Sequence, residues 1–196
     1  MTHVIAICGT MGSGKSTAIA RLQSRLPNCE TLFEDDFNPA PLKSLDEVQE
    51  WFEAGGRVSE FDLSALVQQL RAATSAGRAI VLLETQFGRM HPALRPLIDL
   101  QCWIDVEPDL ALARKVTQLA RQFAGDAESR SADAAEALLW LAEFCDGYSQ
   151  ITRKLFLQQR TSVGRQSDIQ ISGHASPDDV CDRICRSLPS WMADAA

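Results

Sequence analysis

Residues Gly9-Thr10-Met11-Gly12-Ser13-Gly14-Lys15-Ser16-Thr17 follow directly on the apolar run Val4 to Cys8. A loop of the form G-x-x-x-x-G-K-[ST] lets backbone N–H groups crowd round phosphate oxygens. Its lysine reaches the β- and γ-phosphates and its hydroxyl serves Mg²⁺, and Lys15 and Ser16 are those groups here. The helix that must follow turns the positive end of its dipole to the same place. Gly9 to Thr17 are therefore the candidate nucleotide-binding residues, with a nucleoside triphosphate and Mg²⁺ as the implied ligands.

A phosphate loop by itself serves a kinase, a GTPase switch, an ATP-driven machine or an ATP-binding regulatory module. The GTPase signatures D-x-x-G and N-K-x-D do not occur in the chain. A mechanical ATPase usually ends an apolar strand in Asp-Glu, whereas Ile80-Val81-Leu82-Leu83-Glu84 ends in one acid. A different feature stands out: the segment Cys29 to Phe33 runs into Glu34-Asp35-Asp36. Moving a γ-phosphoryl group to an alcohol needs a carboxylate that orients the hydroxyl and takes its proton. Asp35 or Asp36 suits that role, and the alternative is a solvated strand end or turn cap.

Positioning these groups requires a particular frame. Strands are expected at His3–Cys8, Cys29–Phe33, Ala79–Leu83, Gln101–Val106 and Asp168–Ile171. Between them, apolar residues at helical spacing predict helices from Lys15 to Leu26, from Ser44 to the stop at Gly55-Gly56, and from the cap Asp62 to Gly77. Further helices are predicted from Pro108 through Phe123, from Ala134 to Leu157, and after Ser176-Pro177. Strands alternating with helices imply an α/β fold with a parallel sheet and helices on both faces. Ligands of such sheets bind beyond the carboxyl ends of the strands, where the loop, Asp35-Asp36 and Glu84 should converge.

The totals fit one domain spanning 1–196. A net charge of −7 argues against a nucleic-acid surface, and no apolar run is long enough to span a bilayer. With no basic leader before the first strand, a cytoplasmic protein is expected. The six cysteines are scattered without a C-x-x-C pair and read as small buried hydrophobes.

The loop, Leu26-Pro27-Asn28-Cys29, Glu34-Asp35-Asp36-Phe37, Phe61-Asp62-Leu63-Ser64-Ala65-Leu66 and Leu82-Leu83-Glu84 resemble a known pattern in order and spacing. It is that of the uridine kinase and nicotinamide riboside kinase group of P-loop nucleoside kinases, which are phosphoribulokinase-like. The likeness is close over the first half and is one of element order over the second. It implies a three-layer P-loop kinase fold, with ATP and Mg²⁺ as cofactors and a small hydroxyl-bearing acceptor such as a nucleoside. The non-nucleoside alternatives are a vitamin precursor, a sugar or a hydroxy acid.

The same resemblance gives residue roles. Asp35 would be the general base, with Asp36 beside it as a substrate ligand. Asp62 would hold sugar hydroxyls, or else serve only as a helix cap. Glu84 would join Ser16 on the Mg²⁺ shell, or else be a buried acid paired to a neighbour. Lys15 and Arg114 would stabilise the transferring phosphoryl group, Arg114 with Lys115 and Arg121 belonging to a lid at about 114–133. Within it the polar segment Gly125 to Ser131, carrying Arg130, is the expected mobile part. The loop Ser172 to Ser176, with His174, would border the adenine.

Two positions depart from the family. Glu84 is followed by Thr85 instead of glycine, and Val116 replaces a third consecutive basic residue. Phe37, Trp51, Phe52 and Tyr148 are candidates to stack on a base, though aromatics at helical spacing more often belong to cores. Trp140 and Trp191 suit either an interface in a homo-oligomer or internal packing.

Overall fold

The computed structural model describes residues 2–26, 28–37, 44–126 and 133–188. Pro27, residues 38–43, Arg130 with most of the polar segment, and Trp191 lie outside the described residues.

Five strands form one parallel sheet: β1 His3–Cys8, β2 Cys29–Phe33, β3 Ile80–Thr85, β4 Leu100–Asp105 and β5 Ile169–Ser172, in the order β2-β3-β1-β4-β5. Its helices are α1 Lys15–Arg25, α2 Leu45–Glu53, α3 Ser64–Ser75, α4 Pro108–Asp126, α5 Asp133–Gly147, α6 Arg153–Ser162 and α7 Pro177–Ser187. The expected α/β architecture with helices on both faces is what the chain adopts.

Alternation along each strand divides the core in two. Ile5, Ile7, Ile80 and Leu82 face Ile19 and Leu22 of α1 and Ile184 of α7. Val4, Ala6, Val81 and Leu83 face Leu66 and Leu70 of α3. Because both faces are covered, β1 and β3 read as continuous apolar runs. Each large aliphatic side chain buried this way contributes about 1.5–3 kcal/mol. Local chemistry fixes the helix starts: Ser44 Oγ accepts from the Glu47 N–H at 3.2 Å, and Ser176 Oγ from the Asp179 N–H at 3.2 Å.

Several boundaries shift by a residue or two from the sequence expectation, as at β4 and β5, and three differences bear on the site or the core. β3 runs on to Thr85, since Ile7 and Cys8 of β1 continue to pair with Glu84 and Thr85. α4 runs to Asp126, so Gly125 ends a helix instead of opening a loop. The long helix expected from Ala134 to Leu157 contains a π-helical turn at Tyr148–Thr152 between α5 and α6. That wider turn inserts one residue into the repeat. The buried stripe therefore passes from Tyr148 and Ile151 to Phe156 instead of Leu155.

Candidate active site

The phosphate loop links the end of β1 to α1. Its turn closes with the Ser13 N–H donating to Thr10 O at 3.1 Å, and α1 starts with the Ala18 N–H donating to Gly14 O at 2.9 Å. Gly12 and Gly14 have φ of 79° and 99°, a region that L side chains rarely adopt. At Gly12 a Cβ would also stand 2.2 Å from the carbonyl oxygen of Ala111, so α4 and the loop approach as only glycine permits.

Lys15 opens α1 yet is buried, its side chain 9% exposed. Its Nζ donates to Thr10 O at 3.2 Å and lies 3.8 Å from Glu84 Oε1. Glu84 reaches it because the pairing of β1 with β3 sets Ile7 opposite Glu84, at the root of the loop. Glu84 Oε2, Ser13 Oγ and Thr10 Oγ1 are buried polar atoms without a hydrogen-bond partner among the described residues. Such orphans are costly unless a ligand or water satisfies them.

From the neighbouring β2, Glu34, Asp35 and Asp36 form a short 3₁₀ turn just beyond the strand. Glu34 is 5% exposed, and one of its oxygens accepts from the Thr85 hydroxyl. Thr85 Oγ1 in turn accepts from the N–H groups of Phe87 and Gly88, each at 3.1 Å. Burial raises the Glu34 carboxyl to about 7, the Thr85 bond works against that, and the charge of Asp35 adds to it. Asp35 and Asp36 are exposed.

These groups surround neighbouring spaces that share lining residues. A cavity of about 230 Å³ is lined by Lys15, Ser16, Glu34, Asp35, Asp36 and Glu84, with Phe33, Thr85 and Gln86. A second, of about 350 Å³, shares Lys15 and Ser16 and adds Gly12, Gly14, Thr17, Arg114 and Gln118. A third, of about 240 Å³, lies between Ser13, Thr17 and Ala18 on one side and Ile104, Gly173, Ala175 and Pro177 on the other. Arg114 borders the second and third, and its Nη2 donates to Gly173 O at 2.9 Å. A wider space of about 560 Å³ runs along α4 past Arg114 and Arg121 and does not reach the carboxylates.

The structure thus gathers Lys15, Ser16, Asp35, Asp36 and Glu84 round one cavity and brings Arg114 to the opposite side of the loop. It does not bring Asp62 to any of these cavities. The Asp62 carboxylate is exposed and accepts from the Ser64 N–H at 2.9 Å, at the start of α3. Hydrogen bonds from the Ser64 side chain and backbone hold it below the usual carboxylate range. Lys115 turns to Gln118 on the helix surface at 3.5 Å. His174 pairs with Glu107, linking the turns that follow β5 and β4. Trp51 and Phe61 pack at 5.1 Å and Phe61 stacks on Phe87 at 4.9 Å, while Tyr148 packs edge-on against Phe156.

Five lining residues of the first two cavities carry no site role in the sequence reading: Phe33, Glu34, Thr85, Gln86 and Gln118. Two residues after the buried Leu32, Glu34 continues the alternation of β2 one step beyond the strand, which is the signal for its burial.

No protein-family model and no curated protein matches this chain. Solved structures do match along nearly its whole length. A shikimate kinase from Aquifex aeolicus vf5 is 19% identical with a TM-score of 0.50, over 94% of this chain and 95% of that one. An unliganded sugar kinase from Janibacter sp. HTCC2649 is 14% identical with a TM-score of 0.51, over 95% and 94%. The fold is that of P-loop kinases.

Proposed function

We propose that this protein is an ATP- and Mg²⁺-dependent kinase that phosphorylates a hydroxyl group of a small molecule. One observation carries the reading: Lys15 and Ser16 of the phosphate loop line the same cavity as the paired carboxylates Asp35 and Asp36. A module that only bound nucleotide would have no use for those acids at that place. The names of the structural neighbours, kinases of shikimate and of a sugar, support a small hydroxyl-bearing acceptor.

The residues fit the absent ligands. Loop N–H groups and Lys15 suit phosphate oxygens, and the orphaned Ser13 Oγ and Glu84 Oε2 are groups awaiting a partner. No cluster of three histidine, cysteine or acidic side chains able to hold a metal occurs among the described residues. Ser16 and Glu84 would therefore hold Mg²⁺ jointly with phosphate oxygens, the usual arrangement for this ion, and the ion would neutralise charge on the phosphates.

Asp35 orients the acceptor hydroxyl and takes up its proton, and Asp36 helps to hold the acceptor. Lys15 draws charge from the transferring group. Arg114, fixed to Gly173 O, acts from the nucleotide side and completes the lid expected at about 114–133. The resemblance to uridine and nicotinamide riboside kinases supports a nucleoside or ribosyl acceptor. The cavity volume of about 230 Å³ favours a second reading, a compact non-nucleoside alcohol such as a sugar, because sites for drug-sized ligands are larger.

Acceptor-dependent ADP release across nucleosides, sugars and hydroxy acids tests the proposal. Asp35→Asn should keep nucleotide affinity and lose about 10²–10⁴ in turnover. Unchanged turnover in that variant, or ADP release independent of every acceptor, refutes it.

A further inference from the structure

The ladder between β2 and β3 ends at the pairing of Phe33 with Glu84, and the turn that carries Asp35 begins with the next residue. β2 lies at the edge of the sheet, so β3 is the one strand beside it. Phe37 closes the turn, its N–H donating to Glu34 O at 3.0 Å, and packs on the core. The Glu34 side chain makes the other tie, taking hydrogen bonds from the Thr85 hydroxyl and the Gln86 backbone at the end of β3.

Thr85 is prepared for that bond. Its oxygen accepts from the N–H groups of Phe87 and Gly88, so its one proton is left for Glu34. The bond survives protonation of Glu34, because a neutral carboxyl keeps a carbonyl oxygen that accepts. Both residues are buried, Thr85 at 1% exposure, so little water competes for either partner. The residues behind Thr85 are anchored in turn. Phe87 stacks on Phe61 at 4.9 Å, and the Arg89 N–H donates to Gln101 Oε1 of β4 at 2.7 Å. Glu34 thus ties the turn of Asp35 to a braced segment. Thr85 is also one of the two positions at which the chain departs from the kinases that it resembles. The glycine expected there has no hydroxyl and could not make this bond.

Resting on the kinase reading, we propose that Thr85 and Glu34 are a positioning pair for the acceptor site: Thr85 holds Glu34, and Glu34 holds the turn that places Asp35 against the acceptor hydroxyl. Neither residue takes part in the bond changes. With the pair intact, Asp35 stands on the wall shared with Lys15 and Ser16. Without it the turn keeps its hold at Phe37 alone, and the base loses its register with the hydroxyl. A displacement of about an ångström at a reacting group costs on the order of a hundredfold in rate.

Thr85→Val keeps the shape of the side chain and removes the bond. ADP release is followed with uridine, glucose and glycerate, and variants are compared on the acceptor that the wild type uses fastest. In Thr85→Val kcat should fall at least about tenfold, while the affinity for magnesium–ATP, from calorimetric titration, stays within about twofold. Thr85→Ser restores the hydroxyl and should recover kcat to within about threefold of wild type. Glu34→Ala cuts the same tie from the other end and should repeat the pattern, which keeps the test decisive if the valine variant does not fold. In an Asp35→Asn background Thr85→Val should cost less than about a further twofold, because it acts through Asp35. A kcat within about twofold of wild type, a loss that serine does not recover, weakened magnesium–ATP binding, or a full further loss on top of Asp35→Asn each overturns the pairing and leaves the kinase standing. ADP release that no acceptor stimulates removes both.

Discussion

Replacing Glu34 by Gln keeps the size and one acceptor of the side chain and removes its ability to ionise. In the folded protein Glu34 titrates at about 7, against an ordinary glutamate value of 4.5, chiefly because burial penalises its charged form. The folded state therefore holds this proton more tightly than the unfolded chain does. Its contribution is fully present below about pH 4.5 and is lost as pH rises through about 7. The difference between about 7 and 4.5 is about 2.5 pH units, and at 1.36 kcal/mol per unit it amounts to about 3 kcal/mol. Urea unfolding of both proteins at half-unit steps from pH 4 to 8.5 measures it. Wild-type stability, referred to Glu34→Gln, should fall by about 3 kcal/mol across that window, with most of the change between pH 5 and 7. Asp35→Asn should shift the midpoint of that fall downwards, because the Asp35 charge is one of the causes that raise Glu34. A difference that stays flat to within about 0.5 kcal/mol, or one that rises with pH, refutes the assignment of Glu34 as a buried, proton-holding carboxyl.

Asp62→Ala removes the acceptor for the Ser64 N–H and should lower the melting midpoint by about 2–4 °C while leaving acceptor KM and kcat within about twofold. A tenfold rise in acceptor KM would restore Asp62 to the substrate site. Gly12→Ala puts a Cβ 2.2 Å from Ala111 O at a φ of 79°, and should cost about 2 kcal/mol or more of stability together with most of the nucleotide affinity. Calorimetric titration with ATP at a temperature where the variant remains folded checks the second effect, and wild-type affinity would show that α4 does not brace the loop.

The sequence discloses the frame because β1 and the body of β3 are apolar runs and each helix repeats near 3.6 residues; β1, β2 and α1 emerge within a residue of their observed bounds. What it hides has physical causes. The end of β3 is polar, at Glu84 and Thr85, because buried strand termini carry the site, and apolarity no longer marks the strand there. The π turn at Tyr148–Thr152 has no proline to announce it, and one inserted residue moves the buried stripe from Leu155 to Phe156. The tandem Arg114-Lys115 looked like a unit, yet neighbours on a helix point about 100° apart. Arg114 therefore lines one space with Gln118 and Arg121, whereas Lys115 does not line it and only reaches the Gln118 side chain from beside it.

Strand order explains why the groups divide as they do. β2 and β3 lie on one side of β1, and they supply Glu34, Asp35, Asp36, Glu84 and Thr85. β4, β5 and the start of α4 lie on the other, and they supply Ile104, Gly173 and Arg114. The loop leaves β1 at the centre, so Lys15 and Ser16 are the residues common to the carboxylate cavity and the cavity beside Arg114. On the proposed function, a phosphoryl group passing from a nucleotide on the β4–β5 side to a hydroxyl on the β2–β3 side would cross at those two residues. That crossing would account for a lysine buried at 9% exposure and for an arginine that lines a different cavity from the acids. The same division would let acceptor specificity change through β2, β3 and the turns behind them without disturbing the nucleotide side.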